Sequence, residues 1–341
     1  MSSHAVIRGT GSYVPDGELD NEALQRVLEQ AGAVQAAPAG ERFVDKMHAR
    51  TGITTRRIAP DGWAASDVAL PAARAALEAA SWRAEDVDLI IVGTDSPDFI
   101  TPATSVVLQH KLGARAAGTF DVGCACASFP TGLATAAGLL VTNAALRRAL
   151  VVGVYRMSVL ADAHDPMRFF YSDGAGAAAL ERADAPGVIA SAFAADGSLH
   201  RNWGIFAGAT AEPPSVEALE AGRMQVRMVE RYPPEVNEEG WPRLVRELAE
   251  RGGFAVGDID LAIFTQVRRP TIEKVMATLE LPLERTHMVM DRFGYTGSAC
   301  VPMALHDAVA QGRLRAGDLV VLVGSGVGYN QAGVALRWTQ D

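Results

Sequence analysis

Apolar positions follow two different spacings along the chain, and the switch between them occurs twice. Helical spacing from Ser66 to Ala80 is followed by the near-continuous apolar run Asp88-Leu-Ile-Ile-Val-Gly. The same order returns where Leu244 to Glu250 leads into Ile259-Asp-Leu-Ala-Ile-Phe. Apolar residues three and four apart predict a helix, and a short apolar run predicts a buried strand. Each stretch is therefore predicted to be a helix that leads into a strand of a covered sheet.

The repetition continues further along both halves of the chain. In the first half, Phe120-Asp121-Val122 is followed by small residues and then by a predicted apolar helix. In the second half, Met290 to Phe293 is followed in the same way by small residues and a second predicted helix. Apolar strands at Ala149 to Val154 and at Asp318 to Val323 close the two units. Strands that alternate with helices indicate an α/β fold, and self-similarity at half-length indicates a duplicated unit.

The two units predict a division of the chain into halves of similar structure. Residues 1–182 form the first half and residues 183–341 the second, with the join near Arg182 to Gly187. A polar, proline-containing stretch at about 208–241 interrupts the second half. Such a stretch is typical of a surface insertion, and we expect it to act as a lid that shapes substrate access.

Composition and charge argue against several functions. With 49% hydrophobic and 21% charged residues, the 341-residue chain has an ordinary globular composition. A formal net charge of -9 argues against binding to nucleic acid or to an anionic membrane, because both need a basic surface. The first residues lack the pattern of a signal peptide, and no stretch offers about 18 uninterrupted apolar residues without charge. We therefore expect a cytoplasmic protein.

The cysteines are the first candidates for chemistry. The chain has three cysteines, Cys124, Cys126 and Cys300. A small and odd number of cysteines argues against a disulfide framework, so we expect reduced thiols. Cys124 and Cys126 lie among small residues between a predicted strand and a predicted helix. The positive end of a helix dipole favours thiolate over thiol, which predicts a nucleophile for acyl-thioester chemistry. The same spacing also fits a small buried hydrophobe. No second Cys or His cluster has zinc-ligand spacing, so no metal site is expected.

Five ordered motifs point to one family. They are VIRGTGSYVP near the start, RTGITTRRIAP from Arg50 to Pro60, CACASF, FYSDGAGAAAL from Phe170 to Leu180, and the terminal GDLVVLVGSGVGYNQAGVALRW. Along nearly its whole length the chain resembles ketoacyl-ACP synthase III, a member of the thiolase superfamily. The resemblance implies a thiolase-like fold in which two duplicated halves form a layered α-β-α-β-α sandwich. It also implies an acyltransferase whose nucleophile lies at Cys126, in the context Ala-Cys-Ala-Ser-Phe.

The resemblance further implies an oxyanion hole made of two backbone N–H groups. One belongs to Cys126, and the other belongs to about Val327 in the glycine-rich turn Gly324-Ser-Gly-Val-Gly-Tyr329. Ser325 of the same turn is expected to contact substrate. Removing one such donor costs on the order of 3 kcal/mol in transition-state stabilisation.

The chain departs from the family at two positions that assist decarboxylation. Where the family carries His and Asn, the matching segments contain Thr265 and Tyr295. Hydroxyl groups still donate hydrogen bonds, but a threonine hydroxyl is a far weaker acid or base than imidazole. His200, two residues beyond an Asp-Gly-Ser turn, is the histidine that we expect to act if a general base is needed. A surface position for His200 is the alternative.

These departures favour simple acyl transfer to an oxygen, nitrogen or carbon nucleophile, within polyketide-like or fatty-acid-like specialised metabolism. A decarboxylating 3-oxoacyl-ACP synthase with an altered site remains an alternative. The second alternative is a non-catalytic partner of an active paralogue. Malonyl-dependent release of carbon dioxide would favour the first alternative, and failure to acylate with any donor would favour the second.

The donor is expected to be a thioester of CoA or of the phosphopantetheine on an acyl carrier protein, with no cofactor bound permanently. Lys46 stands where the family has a tryptophan that stacks on CoA, which leaves a carrier-protein donor at least as suitable. Arg50, Arg268 and Arg269 are candidate contacts to phosphate or to the carrier, and solvated surface charge is the alternative for each. By resemblance, the stretch Asp95 to Ser105 is expected at a homodimer interface.

Overall fold

Two large open sheets, two small two-stranded sheets and the helices around them make up the described part of the chain. The computed structural model describes residues 4–340. The strands are β1 (His4–Tyr13), β2 (Gly17–Asp20), β3 (Thr55–Ile58), β4 (Leu89–Gly93), β5 (Gly118–Val122), β6 (Arg148–Tyr155), β7 (Gly174–Ala183), β8 (Val188–Ala195), β9 (Trp203–Gly204), β10 (Arg227–Met228), β11 (Leu261–Phe264), β12 (Leu319–Gly326) and β13 (Asn330–Arg337). The helices are α1 (Asn21–Gln30), α2 (Phe43–Thr51), α3 (Ala65–Ala79), α4 (Thr104–Leu112), α5 (Ser128–Thr142), α6 (Val216–Glu220), α7 (Glu235–Glu238), α8 (Gly240–Gly252), α9 (Arg269–Thr278), α10 (Met290–Phe293) and α11 (Cys300–Ala310).

The first sheet has the strand order β1-β7-β6-β4-β5, and the second has the order β11-β12-β13-β8. In the first sheet β4 runs parallel to both β5 and β6, and in the second β11 runs parallel to β12. Parallel strands occur almost only where helices cover both faces of the sheet. The apolar runs of β4, β6 and β12 meet this condition, since nearly every residue in them is buried.

Adjacent residues of β4 show how the layers are separated. Ile90 and Val92 pack with the alanine-rich face of α3, whereas Ile91 belongs to the cluster around α5. Successive side chains of a strand point to opposite faces, so one strand serves two cores. Helices α5 and α11 contact both sheets and form the central layer. With α3 and α4 outside one sheet and α8 outside the other, the order of layers is α-β-α-β-α.

The predicted repetition is confirmed for the helix-strand pairs but fails at one position. The predicted stretches correspond to α3 with β4 and to α8 with β11, and the closing strands correspond to β6 and β12. Met290 to Phe293, the expected echo of β5, is the short helix α10 instead. A single parallel bridge between Ala262 and Thr286 lies where the second sheet lacks a fifth strand. This difference explains why one sheet has five strands and the other four.

The predicted insertion at about 208–241 contains α6, β10 and α7, and its end extends into α8. Trp241, the last residue of that stretch, is fully buried in α8 and stacks on Phe264 at 5.2 Å between ring centroids. The join near Arg182 to Gly187 falls between β7 and β8, the strands where the first sheet ends and the second begins. The division into two domains stays a prediction.

One helical run in residues 4–340, Ala125–Thr142, is long and apolar enough to cross a membrane by length and composition alone. The sequence analysis did not count this uncharged run, because Ser and Thr interrupt its apolar residues. In the fold it is α5 with its preceding turn, and 61% of it is buried inside the protein. Burial between the two sheets accounts for its composition.

Candidate active site

Cys126 lies in a tight turn between β5 and α5. The 3₁₀ turn Ala125–Ala127 leads directly into α5, and Ala125 has a φ of 47°. A left-handed conformation is strained for a residue with a Cβ atom, and such strain is concentrated at functional sites. The strained residue thus directly precedes the predicted nucleophile, at the amino end of a 15-residue helix.

The second half of the chain supplies a direct partner for this sulfur. The Tyr295 hydroxyl forms a hydrogen bond with Sγ of Cys126. Tyr295 follows α10, and its carbonyl oxygen accepts a hydrogen bond from the backbone N–H of Ser172 at 3.1 Å. Cys126 is 2% exposed and Tyr295 is 5% exposed. Two residues that the sequence predicted as catalytic, 169 positions apart, are therefore in contact inside the protein.

Burial determines the resting protonation state of both groups. Burial raises the pKa of the Cys126 thiol well above its ordinary value, and the negative charge of Asp95 adds to the increase. The hydrogen bond from Tyr295 lowers the pKa of Cys126, but less strongly than burial raises it. The pKa of Tyr295 is also raised well above its ordinary value, chiefly by burial. The resting site therefore holds a neutral thiol, whereas the sequence predicted a thiolate.

A carboxylate that the sequence analysis did not select lies beside this pair. The Ser298 hydroxyl donates to Oδ1 of Asp95 at 2.9 Å and lies 3.1 Å from the carbonyl oxygen of Ala125. Burial raises the pKa of Asp95 to about 6. Asp95 follows the carboxyl end of β4, and ligands of α/β sheets bind beyond the carboxyl ends of the strands. An acidic residue at that position was the signal that could have identified it.

The glycine-rich turn between β12 and β13 packs against the nucleophile turn. A Cβ atom at Gly326 would lie 2.0 Å from the carbonyl oxygen of Cys124, and one at Gly324 would lie 2.8 Å from that of Cys126. Only residues without a Cβ atom permit this approach. Within residues 4–340, the N–H of Val327 takes part in no hydrogen bond. The turn that holds one predicted oxyanion donor is thus next to the segment that holds the other.

Thr265 and Ser325 lie behind this turn. Oγ1 of Thr265 accepts a hydrogen bond from the backbone N–H of Ser325 at 2.8 Å, and Thr265 is buried. The Ser325 hydroxyl accepts a hydrogen bond from Nε1 of Trp241 and lies 3.4 Å from Nε2 of Gln331. Both residues therefore hold the turn in place in the resting state. Their predicted contacts to substrate stay predictions.

Comparison with known proteins decides the family. The description "3-Oxoacyl-[acyl-carrier-protein (ACP)] synthase III" matches residues 120–197, and that of its C-terminal region matches residues 249–338. A beta-ketoacyl-[acyl-carrier-protein] synthase III from Syntrophomonas wolfei is 34% identical, over 98% of this chain and 98% of its own length. The chain belongs to the 3-oxoacyl-ACP synthase III family. Members of this synthase III family are acyl-transferring condensing enzymes.

Solved structures agree with that assignment. The synthase III from Aquifex aeolicus VF5 superposes with a TM-score of 0.85 at 28% identity, covering 98% of this chain and 100% of that one. The priming β-ketosynthase of the R1128 polyketide pathway gives 0.87 at 28% identity, covering 98% and 96%. The predicted thiolase-like fold, the synthase III resemblance and the enzyme class are confirmed. The replacement of the family's His and Asn by Thr265 and Tyr295 stays a prediction.

His200 does not meet the other predicted catalytic residues of this synthase III chain in the resting structure. Its ring is exposed, and its Nδ1 lies 3.0 Å from the carbonyl oxygen of Gly197. Cys126 is buried between the sheets. A role for His200 as a base would require the loop to move, and that role stays a prediction. Within residues 4–340 no group of three His, Cys, Asp or Glu side chains could hold a metal ion.

The predicted arginines lie close together at the surface. Arg268 directly precedes α9, and its pKa is lowered by burial and by the positive charges of Arg50 and Arg231. Arg269 begins α9 and lies against Gly52, the residue that ends α2. Arg231, from the insertion, joins this basic cluster and was missed by the sequence analysis. Its neighbour in sequence, Tyr232, accepts a hydrogen bond from the N–H of Gly328 at 3.1 Å, which connects the basic cluster to the glycine-rich turn.

The thiol is closed off in this conformation. One surface depression of about 250 Å³ is lined by residues that include Tyr329 and Gln331, and another is lined by residues near β3. Cys126 lines neither of them. The thiol that the sequence predicts to be reachable is 2% exposed in this conformation, and its access to a donor stays a prediction.

Replacing Tyr295 with phenylalanine is expected to slow alkylation of Cys126 by iodoacetamide about 10- to 100-fold at a fixed pH. The variant removes a hydrogen bond to the thiolate, and hydrogen bonds to charged groups contribute about 1.5–3 kcal/mol. The phenylalanine ring still fills the space. Peptide mapping by mass spectrometry gives the rate at Cys126 alone. Tyr155→Phe is the matched control, because the Tyr155 ring lies 6.1 Å from that of Tyr295 but is not hydrogen-bonded to the sulfur. An unchanged rate in Tyr295→Phe would show that the contact does not assist ionisation.

Proposed function

We propose that this synthase III relative is an acyltransferase that forms an acyl thioester on Cys126 and passes the acyl group to an oxygen, nitrogen or carbon nucleophile. The observation that carries the proposal is the identity of the residue that hydrogen-bonds to the thiol of Cys126. That hydrogen bond comes from Tyr295, and within residues 4–340 no histidine is hydrogen-bonded to the sulfur. Decarboxylation of a malonyl group forms an enolate that needs strong donors at its oxygen, and a Thr and a Tyr in place of His and Asn favour plain transfer.

Two half-reactions follow from the site. In the first, the sulfur of Cys126 attacks the carbonyl carbon of a donor thioester, and the bond from that carbon to the donor sulfur breaks. The proton of Cys126 leaves with the departing thiol, so the products are acyl-Cys126 and a free thiol. The backbone N–H groups of Cys126 and Val327 are proposed to hold the negative oxygen of the tetrahedral intermediate. In the second half-reaction, the acceptor displaces Cys126.

The donor is proposed to be an acyl-CoA or an acyl carrier protein. Arg50, Arg231 and Arg268 form a basic cluster suited to the phosphate of a pantetheine arm. Tyr232 extends from this cluster to Gly328, and its pKa is raised by burial. The insertion at about 208–241 that carries Tyr232 is therefore proposed as the lid over the pantetheine path.

Mass spectrometry tests the first half-reaction directly. The protein is incubated with acetyl-CoA, longer acyl-CoAs and acyl carrier proteins, and a mass increase of one acyl group is expected on the peptide that contains Cys126. The peptide also contains Cys124, so fragmentation must assign the adduct to one sulfur. Absence of an adduct with every donor would refute the acyltransferase and favour the non-catalytic partner.

Malonyl-ACP distinguishes plain acyl transfer from the remaining alternative, a decarboxylating condensing enzyme. Addition of malonyl-ACP to the acyl-enzyme is expected to release no carbon dioxide above the rate of protein-free buffer. Release of one carbon dioxide for each acyl group lost would instead assign a decarboxylating condensing enzyme.

The similarity to a priming ketosynthase of a polyketide pathway supports a place in specialised metabolism. The homodimer is also proposed, since Phe99 and Ile100 in the expected interface are 56% and 80% exposed in the single chain.

A further inference from the structure

The carboxylate of Asp95 has one oxygen that is hydrogen-bonded to another residue and one that is not. Oδ1 accepts the hydrogen bond from Ser298 at 2.9 Å. Within residues 4–340, no other residue donates a hydrogen bond to Oδ2, and Asp95 forms no ion pair with an Arg, Lys or His, although its own backbone N–H also hydrogen-bonds to the carboxylate. Asp95 is half-buried, so an oxygen without a partner from another residue is accessible to an incoming group. One oxygen fixes the orientation of the carboxylate, and the other is available to a proton.

The carboxylate of Asp95 lies near the nucleophile. Ser298 connects Asp95 to the carbonyl oxygen of Ala125, the residue directly before Cys126. The charge of Asp95 raises the pKa of Cys126, Cys300, Tyr155 and Tyr171, which are the titratable groups that face it. None of these four groups is a base at neutral pH, because each is neutral in its buried state.

Other side chains that the sequence placed at the site are poorly suited to accept a proton. Oγ1 of Thr265 is engaged with the backbone N–H of Ser325, and a threonine hydroxyl is not a base at pH 7. Tyr295 is neutral and is already hydrogen-bonded to the sulfur of Cys126. His200 is exposed on a loop and lies against Gly197. Asp95 is the remaining group with the chemistry of a general base.

We propose that the carboxylate of Asp95 accepts the proton from the acyl acceptor when the acyl group leaves Cys126. This inference rests on the acyltransferase function proposed above and adds the base that it requires. As the acceptor heteroatom or carbon bonds to the thioester carbonyl carbon, its proton passes to Oδ2 of Asp95. The bond from that carbon to Sγ then breaks, and Cys126 leaves as a thiolate. The proton returns from Asp95 to the sulfur, which regenerates the neutral thiol and the free carboxylate.

Hydrolysis of the acetyl-enzyme provides a test that needs no knowledge of the natural acceptor, because water serves as the probe. The enzyme is acetylated with acetyl-CoA, freed of excess donor, and followed by mass spectrometry from pH 5 to pH 8. In the wild type, loss of the acetyl group is expected to be slow at pH 5 and to rise to a plateau above pH 7. The pKa of Asp95 is about 6, and only the ionised carboxylate accepts a proton. Asp95→Asn is expected to slow hydrolysis about 10²- to 10⁴-fold at pH 7.5 and to remove the rise between pH 5 and pH 7.

Two variants show whether the effect comes from the base. Asp95→Glu keeps the carboxylate and is expected to recover part of the rate together with a pH-dependent rise. Asp98→Asn is the matched control, since Asp98 accepts from the backbone N–H of Ser66 at 2.8 Å and belongs to the cap of α3. It is expected to leave the pH profile unchanged. Thermal unfolding of each variant confirms that it is folded at the assay temperature.

The outcomes separate this inference from the function on which it rests. No acetyl adduct on wild-type Cys126 refutes the acyltransferase itself. An adduct that forms normally in Asp95→Asn and is lost at the wild-type rate, with the wild-type pH profile, refutes the role of Asp95 and leaves the acyltransferase intact. Failure of a folded Asp95→Asn to acylate also refutes the proposed role, because it would place Asp95 in the first half-reaction. A wild-type acetyl-enzyme whose loss does not depend on pH refutes it as well.

Discussion

Replacing Cys126 with alanine is expected to abolish the acyl adduct and to lower acyl transfer on the order of 10⁴-fold or more. The variant removes the atom that forms the covalent bond and leaves only the weaker contribution of binding and of the backbone N–H groups. Alanine is slightly smaller than cysteine and leaves a small space in a buried position, so the fold is expected to survive. Acetyl-CoA as donor, with intact-protein mass and released CoA as readouts, measures the loss.

Cys124→Ala is the matched control for this variant. Cys124 is two residues away and partly exposed, and only its backbone takes part in hydrogen bonds, donating from N–H to Ser128 and accepting at the carbonyl from Ala127. Its removal is expected to leave the adduct and the transfer rate close to those of the wild type. The opposite result, with the adduct kept in Cys126→Ala and lost in Cys124→Ala, would move the nucleophile to Cys124.

The second large effect is expected at Gly326. In Gly326→Ala the new Cβ atom would lie 2.0 Å from the carbonyl oxygen of Cys124, so the turn and the nucleophile segment must separate. Overpacking of this kind destabilises by about 1–3 kcal/mol. Displacement of an oxyanion donor costs about 10²- to 10³-fold in rate. Thermal unfolding and the rate of acylation of Cys126 measure the two consequences separately.

Gly123→Ala is the comparison that isolates the close approach. Gly123 lies three residues before Cys126, and a Cβ atom there would meet nothing within 4 Å. Its substitution is expected to change stability by no more than about 0.5 kcal/mol. If Gly326→Ala were as active as Gly123→Ala, the contact between the two turns would have no part in catalysis, and Val327 would lose its proposed role.

Much of the fold was predictable because it follows local patterns. The apolar runs of β4, β6 and β12 and the spacing of α3 are properties of neighbouring residues, and burial on both sides of a sheet maintains them. The end of the repetition was not predictable in this way. Met290 to Phe293 forms a helix where the first half has β5, and a segment of four residues, two of them charged, is too short for its pattern to distinguish a helix from a strand.

The site was predictable only as far as motifs and resemblance extend. Cys126, Tyr295 and Val327 were found because they lie in recognisable segments, but their contacts depend on packing between residues more than 160 positions apart. The neutral state of the thiol was missed, because burial outweighs the helix dipole and cannot be read from a turn motif. Asp95 was predicted only as part of a dimer interface, because its contact with Ser298, 203 positions away, forms only once the layers are assembled.

The close contact between the nucleophile turn and the glycine-rich turn has a consequence for exchanging segments among homologues. The nucleophile turn and the turn of Gly324 and Gly326 come from opposite sides of the link between β7 and β8. A hybrid enzyme that takes one side from each of two parents would combine surfaces that were selected separately. Crossovers at that link are therefore poor positions for shuffling libraries, even though few strand pairings cross it. Recombination that keeps both turns from one parent avoids the conflict.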